Sequence, residues 1–487
     1  LRAAEDISCS DGLTVKDDTW QALKRLTLGD AAESCPVEVR DGGERGGGRG
    51  LFATQPIEKG HVFLTVHRDQ MITGDSLPPP LSSLLPPSLS VWARIALFLL
   101  LRPSPSPPPT SATSHRHHHN HWQPYIASLP AFKSVDSTVW WQEHERAMLL
   151  PSLYNDTRDR TALIQSEFGL IETALADHPH LHAFLPNLTF EQFCHAYSLV
   201  CSRAWGIESL GNLALVPYAD MINHNPGTHT LLCYDEEQQV VEITADRDYE
   251  PGEQVLVSYG DLSNGVLALD FGFTVADNPH DSVEMCVLIS SSTTPHNAPL
   301  NEAKRCLLVE AQLLPSDTAS GASFVLKRIQ TPASDGRGLP FALRALARIL
   351  TASSEEQLQF LRDEGRHHSG TVARRPIRAQ GGGGGGERGE EGGGEVAGVE
   401  GWEGRAMGLL LSLMEERIEH MMDARQVIKQ MAYEVDTSRL GMALQIIDSQ
   451  LAVLRSVAAW LRPRASGGGL EHVISNPEAR NGWSALR

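Results

Sequence analysis

The fold is decided by residues 211–273, GNLALVPYADMINHNPGTHTLLCYDEEQQVVEITADRDYEPGEQVLVSYGDLSNGVLALDFGF. This stretch places Asp220, Asn223 and His224 on a short polar turn. A β-hairpin pattern follows, and then an alternating strand that ends in Tyr259-Gly260. Two separate polar clusters brought together by strands are what a ligand pocket with one catalytic hydroxyl needs. We therefore expect the functional site here, because packing alone explains neither cluster.

The chain upstream of this stretch changes character several times. Residues 12–30 have helical spacing, and residues 45–66 predict two short strands joined by a turn. From 77 to 121 prolines cluster around one apolar helical segment, and the region ends in a His-rich tract. Pro-rich segments of this kind predict a surface insertion that buries no core. Residues 122–200 then alternate helical patterns with breaks.

The chain downstream of about residue 300 has a helical pattern. The clearest helix is predicted over 438–462, where leucines and other apolar residues recur every three or four positions. Such a stripe is typical of a bundle core. A Gly-rich segment, 380–396, interrupts the helical blocks and predicts a flexible loop.

The composition narrows the class of protein. In 487 residues there are 60 acidic against 41 basic side chains, a net charge of −19, which argues against direct nucleic-acid binding. The longest apolar run is far shorter than the roughly 20 residues of a membrane span. Seven scattered cysteines without a C-x-x-C pair favour a reducing, intracellular compartment over a disulfide framework or a structural zinc site. Chloroplast, cytoplasm and nucleus are not distinguished.

Each candidate residue, taken singly, has a structural alternative. The Gly-rich segment 46–50 lacks dinucleotide-binding spacing, so it indicates a turn or a close backbone approach. Arg203 is either a solvated helix cap or a partner for a ligand carboxylate. His224 has no second metal ligand at a suggestive spacing, and we predict no metal site. Tyr259 could be an ordinary buried tyrosine.

The ordered set of motifs resembles the SET-domain protein methyltransferases, specifically the subgroup built like the Rubisco large-subunit methyltransferase. No single motif is decisive, but the set in this order is specific and extends over about 45–465. The segments that carry the resemblance are GGRGLFAT at 47–54, WQPYI at 122–126 with Leu129-Pro130, SRAW at 202–205, DMINH at 220–224, GEQ at 252–254, SYG at 258–260, SN at 263–264 and DFGF at 270–273.

The resemblance implies an α+β fold. A β-rich SET domain of small sheets, with an inserted helical subdomain, would be followed by an all-α C-terminal domain that binds the protein substrate. The implied boundaries are a helical lead at 1–40, the split SET domain at 41–275 with its insert at about 91–194, a connection at 276–300, the helical domain at 301–470 and a tail at 471–487.

The resemblance also implies S-adenosylmethionine as cofactor and assigns roles to individual residues. Tyr259 would be the catalytic tyrosine. The residues implied to bind the cofactor are Gly48, Arg49, Gly50, Arg203, Asn223, His224, Phe271 and Phe273. The residues implied to bind the substrate are Ser202, Arg203, Trp205 and Asp220.

The implied activity is protein-lysine N-methylation by a monomer. A protein-histidine methyltransferase is the close alternative, but the actin-modifying member carries Asn and Trp where this chain has Trp205 and Ala219. An aromatic wall with a small neighbour suits a thin lysine chain better than an imidazole. A catalytically degenerate binding module is the third alternative, because Gly47 and Phe271 depart from the usual acidic and hydroxyl-bearing residues.

Overall fold

The computed structural model describes residues 17–42, 48–102, 119–289, 298–314, 321–330, 336, 338–367, 399–431, 435–465 and 474–475. The chain divides into two compact units that interleave in sequence. Unit 1 comprises Leu1–Trp141, Asp156–Asp261 and Val266–Phe273, and unit 2 comprises Gln142–Asn155, Leu262–Gly265 and Thr274–Arg487. The domain boundaries given above remain predictions.

Unit 1 contains three small sheets. The strands are β1 (Val37–Asp41), β2 (Arg49–Ala53), β3 (Val62–His67), β4 (Ile72–Thr73), β5 (Ala214–Leu215), β6 (Asn223–His224), β7 (Leu231–Asp235), β8 (Val240–Thr244) and β9 (Gln254–Val257). Their orders are β1-β2-β9-β6, β3-β8-β7 and β4-β5. The predicted hairpin is confirmed as β7 and β8, which pair antiparallel from Leu231 opposite Thr244 to Asp235 opposite Val240.

The four-stranded sheet brings together the separated motifs. Strand β9 pairs antiparallel with β2, with Leu51 opposite Val255. On its other side β9 pairs parallel with the short β6, with His224 opposite Val257. Residues near 50, 224 and 257 therefore become neighbours although the chain separates the first two by more than one hundred residues.

The helices before residue 204 include one in each region for which the sequence predicts helix, namely 12–30, the apolar segment within 77–121, and 122–200. They span Asp17–Leu28, Pro79–Leu84, Val91–Leu99, Gln123–Ser128, Glu143–Arg146, Tyr154–Asp177 and Phe190–Arg203. Local capping defines two of their starts. Ser90 Oγ accepts from the Ala93 N–H at 3.2 Å, and Thr189 forms a reciprocal capping box with Gln192. A three-residue helix, Asn264–Val266, follows later in the chain.

The expectation that the Pro-rich region buries no core is wrong for residues 77–102. Leu77, Leu81, Leu85 and Leu89 are all at least 96% buried, as is most of the helix that follows. The physical reason is that these leucines recur every four residues, while Pro79 and Pro80 stand in the first turn of a helix, where no amide hydrogen bond is lost. Residues 103–118 lie outside the described part.

Unit 2 is mainly helical and confirms the α+β class. Its longer helices span Ala298–Glu310, Phe341–Thr351, Glu355–His367, Val399–Gln430 and Thr437–Leu461, the last matching the predicted leucine stripe. The C-terminal part is not all-α, however. It also holds a sheet of order β11-β10-β12, formed by β10 (Ser282–Ile289), β11 (Gly321–Lys327) and β12 (Ile474–Ser475).

The extra sheet has a sequence signal that the helical reading missed. Strand β11 has the sequence GASFVLK, in which Phe324 and Leu326 are buried while Ser323, Val325 and Lys327 are exposed. That period of two is typical of a strand with one buried face. The Gly-rich loop 380–396, and the tail apart from Ile474–Ser475, lie outside the described residues. None of the described helices is both long enough and apolar enough to cross a bilayer.

Candidate active site

A strained turn brings Asp220 to the site. Tyr218 has φ of +66°, a conformation that costs a residue with a side chain about 1–3 kcal/mol, and it leads directly into the turn Ala219–Met221. The buried Tyr218 hydroxyl donates to the Val37 carbonyl at 3.0 Å. The buried Tyr218 ring and its hydrogen bond to Val37 therefore stabilise the strained backbone conformation, which sets the direction of the turn Ala219–Met221.

Asp220 is the centre of a buried polar cluster. The Tyr125 hydroxyl donates to Asp220 Oδ2 at 2.7 Å, and Arg203 Nη1 donates to the same oxygen at 3.3 Å. Arg203 Nη1 also donates to the Asp220 backbone carbonyl at 3.1 Å. The Asp220 side chain is 0% exposed and that of Arg203 is 16% exposed. Among the described residues, Oδ1 of Asp220 and Nε of Arg203 have no hydrogen-bond partner.

Burial dominates the electrostatics of this cluster. It raises the pKa of Asp220, even though Arg203 and the hydrogen bond from Tyr125 favour the ionised form. Burial opposes the charge of Arg203, but the Asp220 carboxylate together with Tyr125 and Tyr259 outweighs burial, and the Arg203 pKa is raised. Burial also raises the pKa of Tyr259 to about 12, so its hydroxyl keeps its proton at neutral pH.

Tyr259 is fixed at both ends. Its hydroxyl donates to the Ile222 carbonyl at 2.8 Å, and its backbone N–H donates to His224 Nδ1 at 3.0 Å. Because Nδ1 accepts, the neutral His224 ring carries its hydrogen on Nε2. The Tyr259 ring is stacked between His224 and Phe271, with centroids 4.9 and 5.0 Å away. The hydroxyl therefore has one defined position.

A cavity of about 300 Å³ adjoins these residues, a volume at the lower end of small-molecule sites. Its walls are backbone and side chains of unit 1. They come from Ser202, Arg203, Ala204, Trp205, Gly206, Asp220, Leu232, Val257, Ser258, Tyr259, Gly260 and Phe271. The cavity thus combines a protonated phenol, a buried carboxylate and guanidinium, and aromatic surface.

Gly50 allows β2 to approach β6 and β9 closely. A Cβ at this position would lie 2.1 Å from Gln254 Nε2 and 2.8 Å from Asn223 Nδ2. The Asn223 amide donates to the Arg49 backbone carbonyl at 3.1 Å. At Gly50 the backbone thus lies against two side-chain amides of the protein, and the close backbone approach to a ligand that the Gly-rich segment indicates stays a prediction. Gly47 lies outside the described residues.

The Phe271-Gly272-Phe273 segment ends a short π-helix, Leu267–Phe271. Gly272 has φ of +76°, and a Cβ there would meet the Asp136 backbone at 2.6 Å, so only glycine fits. The turn places Phe273 6.2 Å from the His224 ring and Phe271 against Tyr259.

The structure sorts the predicted residues into two neighbouring groups. Those that line the cavity are Ser202, Arg203, Trp205, Asp220, Tyr259 and Phe271. Those that lie beside it, on or against the four-stranded sheet, are Gly50, Asn223, His224 and Phe273. Arg49 begins β2 and Gly48 directly precedes it. Neither residue lines the cavity, and Arg49 Nη1 donates to the Ser128 carbonyl at 3.0 Å.

Several residues of the site were not predicted from the sequence, and two of them, Tyr125 and Tyr218, determine where Asp220 lies. Tyr125, which holds Asp220, stood within the WQPYI motif without an assigned role. Tyr218 carries the strained conformation, and no sequence pattern indicates it. Within the described ranges, no group of three or more His, Cys, Asp or Glu side chains could hold a metal ion.

Residues 48–260, which contain all but the last two aromatic residues of this arrangement, match the family model of the SET domain. This part of the chain is therefore similar to SET domains. The match begins at the glycine before β2 and ends at Gly260, directly after Tyr259. The matched residues include the polar cluster around Asp220 and strands β2, β6 and β9 of the four-stranded sheet, but neither β1 nor Phe271 of the cavity wall.

The chain is similar to methyltransferases of two named specificities. It is 29% identical over 261 residues to the chloroplastic fructose-bisphosphate aldolase–lysine N-methyltransferase of Arabidopsis thaliana, covering 50% of each chain. It is 31% identical over 260 residues to the actin-histidine N-methyltransferase of Otolemur garnettii, covering 50% of this chain and 41% of that protein. The chain spans about half or less of the length of these curated relatives.

A solved structure extends the likeness beyond the SET domain. Rubisco LSMT bound to AdoMet matches with a TM-score of 0.58 and 21% identity, over 92% of this chain and 92% of that one. At this identity the likeness shows the fold. The predicted α+β fold with a largely helical C-terminal part is thereby confirmed.

Proposed function

We propose that this protein is an S-adenosylmethionine-dependent protein-lysine N-methyltransferase. The observation that carries the proposal is the joint placement of Tyr259, Asp220 and Trp205 around one cavity, with the Tyr259 hydroxyl held on the Ile222 carbonyl. Support comes from the SET-domain match and from a relative named as a lysine N-methyltransferase.

The residues present fit such a cofactor. The site offers aromatic rings and a buried guanidinium nitrogen, Arg203 Nε, that no described residue satisfies, which suits a ligand with an apolar ring and a carboxylate. The residues proposed to hold the cofactor are Gly48, Arg49, Gly50, Arg203, Asn223, His224, Phe271 and Phe273. When bound, it supplies a methyl group already activated by a sulfonium.

The protein must therefore supply orientation and a neutral amine. A free lysine has a pKa of about 10.4, so deprotonation near pH 7.5 costs about 4 kcal/mol. A buried, partly apolar cavity lowers that cost by disfavouring the ammonium. Tyr259 cannot act as a base while its pKa is about 12, so it and the Ile222 carbonyl orient the nitrogen through fixed dipoles. Ser202, Arg203, Trp205 and Asp220 are proposed to receive the target side chain.

Protein-histidine methylation is the second candidate, favoured by the 31% identity to an actin-histidine enzyme. Trp205 lines the cavity, whereas Ala219 is fully buried and does not line it. The aromatic wall formed by Trp205 favours a thin aliphatic chain, so we place lysine first. The protein is proposed to act as a monomer in an intracellular compartment, without direct nucleic-acid contact.

The test is methyl transfer from labelled S-adenosylmethionine to proteins of a cell extract, followed by mass spectrometry of the labelled peptides. We expect methyl-lysine; methylation confined to histidine would select the second candidate. Calorimetry with the cofactor alone covers the third alternative. No heat of binding would favour a degenerate SET module that only docks a partner.

Tyr259→Phe is the sharpest single variant. It keeps the ring stacked on His224 and Phe271 and removes only the hydroxyl. We expect kcat to fall at least about 100-fold, the loss typical of one preorganised polar group. The cofactor Kd should change less than about threefold. Full turnover in this variant would remove Tyr259 from the catalytic role.

A further inference from the structure

The hydrogen bond from the Tyr125 hydroxyl to Asp220 is left unexplained by the proposed function. The residue belongs to the WQPYI motif, lies on helix Gln123–Ser128 and is 0% exposed. Ser128 Oγ donates to the Tyr125 carbonyl at 2.6 Å, which secures the helix end. The hydroxyl donates to Asp220 Oδ2 at 2.7 Å. Packing explains the ring, but it does not explain the hydroxyl.

The two oxygens of Asp220 are used unequally. Oδ2 accepts from both Tyr125 and Arg203, at 2.7 and 3.3 Å. Oδ1 is buried, and within the described part of the chain no donor reaches it. A carboxylate held by two donors on one oxygen cannot rotate without breaking both bonds. The other oxygen is therefore a fixed acceptor on a residue that lines the cavity.

We propose that Tyr125 is a positioning residue of this site: with Arg203 it occupies Oδ2 of Asp220, and so presents Oδ1 to an N–H donor of the target side chain. This inference rests on the proposed function, since it assigns the occupant of the cavity. A buried acceptor without a donor is costly, and a primary amine brings donors that satisfy it. The site thereby favours a target side chain that directs an N–H at Asp220 Oδ1.

The charges that face Asp220 come from separate elements. Arg203 ends helix Phe190–Arg203, Arg49 begins β2, and Tyr125 and Tyr259 stand on the inserted helix and after β9. Of these, Arg203, Arg49 and the Tyr125 hydrogen bond favour the ionised carboxylate. Removing the Tyr125 hydroxyl therefore leaves Asp220 protonated up to a higher pH.

Tyr125→Phe tests the inference, and Tyr249→Phe is its matched control. Tyr249 is also a buried tyrosine, and its hydroxyl donates to Asp246 Oδ1 at 2.8 Å, away from the residues of the cavity. We expect Tyr125→Phe to raise KM for the methyl-accepting protein about tenfold, with the cofactor Kd unchanged. The acid limb of its kcat/KM profile should move to higher pH. Tyr249→Phe should leave both quantities within about twofold.

A second measurement does not depend on turnover. In protein carrying ¹³C-labelled aspartate carboxyls, Asp220→Asn identifies the Asp220 signal, and its titration is followed in each variant. We expect the Asp220 midpoint to rise in Tyr125→Phe and to stay constant in Tyr249→Phe. An unmoved midpoint, or equal kinetic effects of the two variants, overturns the positioning role. If the wild type methylates nothing while the midpoint moves, the proposed function fails separately.

Discussion

Asp220 and Asp246 each accept a hydrogen bond from a buried tyrosine, yet they lie in different surroundings. At Asp246, Tyr249 and Thr230 donate to Oδ1 and the His229 N–H donates to Oδ2, so both oxygens have partners. At Asp220, one oxygen takes both donors, and no described residue donates to the other. Both oxygens of Asp246 therefore have partners within the fold, whereas Oδ1 of Asp220 is the acceptor that we propose the target side chain satisfies.

The pKa of Asp220 is raised and that of Asp246 is lowered, because the balance between burial and hydrogen bonding differs at the two carboxyls. Burial raises the pKa of Asp220 more than its partners lower it. At the half-buried Asp246 burial also raises the pKa, but hydrogen bonds from His229, Tyr249 and Thr230 outweigh it, and the pKa is lowered. A hydrogen bond from a tyrosine therefore does not by itself determine the pKa of an aspartate, because the burial of the carboxyl and its other hydrogen-bond donors also contribute.

The largest expected difference between the two regions is in stability. Asp220→Ala leaves the buried Arg203 without its counter-ion and should cost about 3–5 kcal/mol of unfolding free energy. Asp246→Ala removes hydrogen bonds at a half-exposed site and should cost about 1–2 kcal/mol. Urea denaturation followed by tryptophan fluorescence measures both. Equal losses would show that the contrast in surroundings has no energetic consequence.

Glycine replacements give the next largest difference. Gly50→Ala places a methyl group 2.1 Å from Gln254 Nε2 and 2.8 Å from Asn223 Nδ2, so both amides must move and the bond to the Arg49 carbonyl is lost. We expect a cost of about 1–3 kcal/mol and weaker cofactor binding. Gly227→Ala, in the loop before the hairpin, meets only Asn225 Oδ1 at 3.3 Å and should change stability by less than about 0.5 kcal/mol. Thermal melts with and without cofactor compare them.

The smallest effect expected is an opposite pH dependence of stability. Between the unfolded value of about 3.9 and the raised folded value, Asp220 is protonated only in the folded state, so its contribution falls as pH rises through this window. Asp246 has a lowered folded pKa, so its contribution is present above about 3.9 and is lost as pH falls through the folded value. Stability differences from Asp220→Asn and Asp246→Asn, measured from pH 3 to 7, should slope in opposite directions. Parallel slopes would contradict the assignment.

The order of the motifs was sufficient to predict the α+β class and the match to the SET-domain model, whereas the roles assigned to individual site residues stay predictions. The hairpin at 231–244 and the helix at 437–461 were readable because their apolar periods of two and of three to four match the local geometry. The same method failed at 77–102, where proline content obscured leucines spaced for burial, and at β11, where a short alternating strand lay among helical patterns.

The sequence by itself determined the local elements, such as the hairpin at 231–244 and the helix at 437–461, and the order of the motifs, because periodicity and spacing are local properties of the chain. Only the tertiary structure decided which oxygen of Asp220 is occupied, that Tyr125 occupies it, and that Tyr218 stores strain beside it. Tyr125 and Asp220 are 95 positions apart. Contacts over such separations are set by how the inserted helix packs against the turn, and no local pattern of residues records that packing.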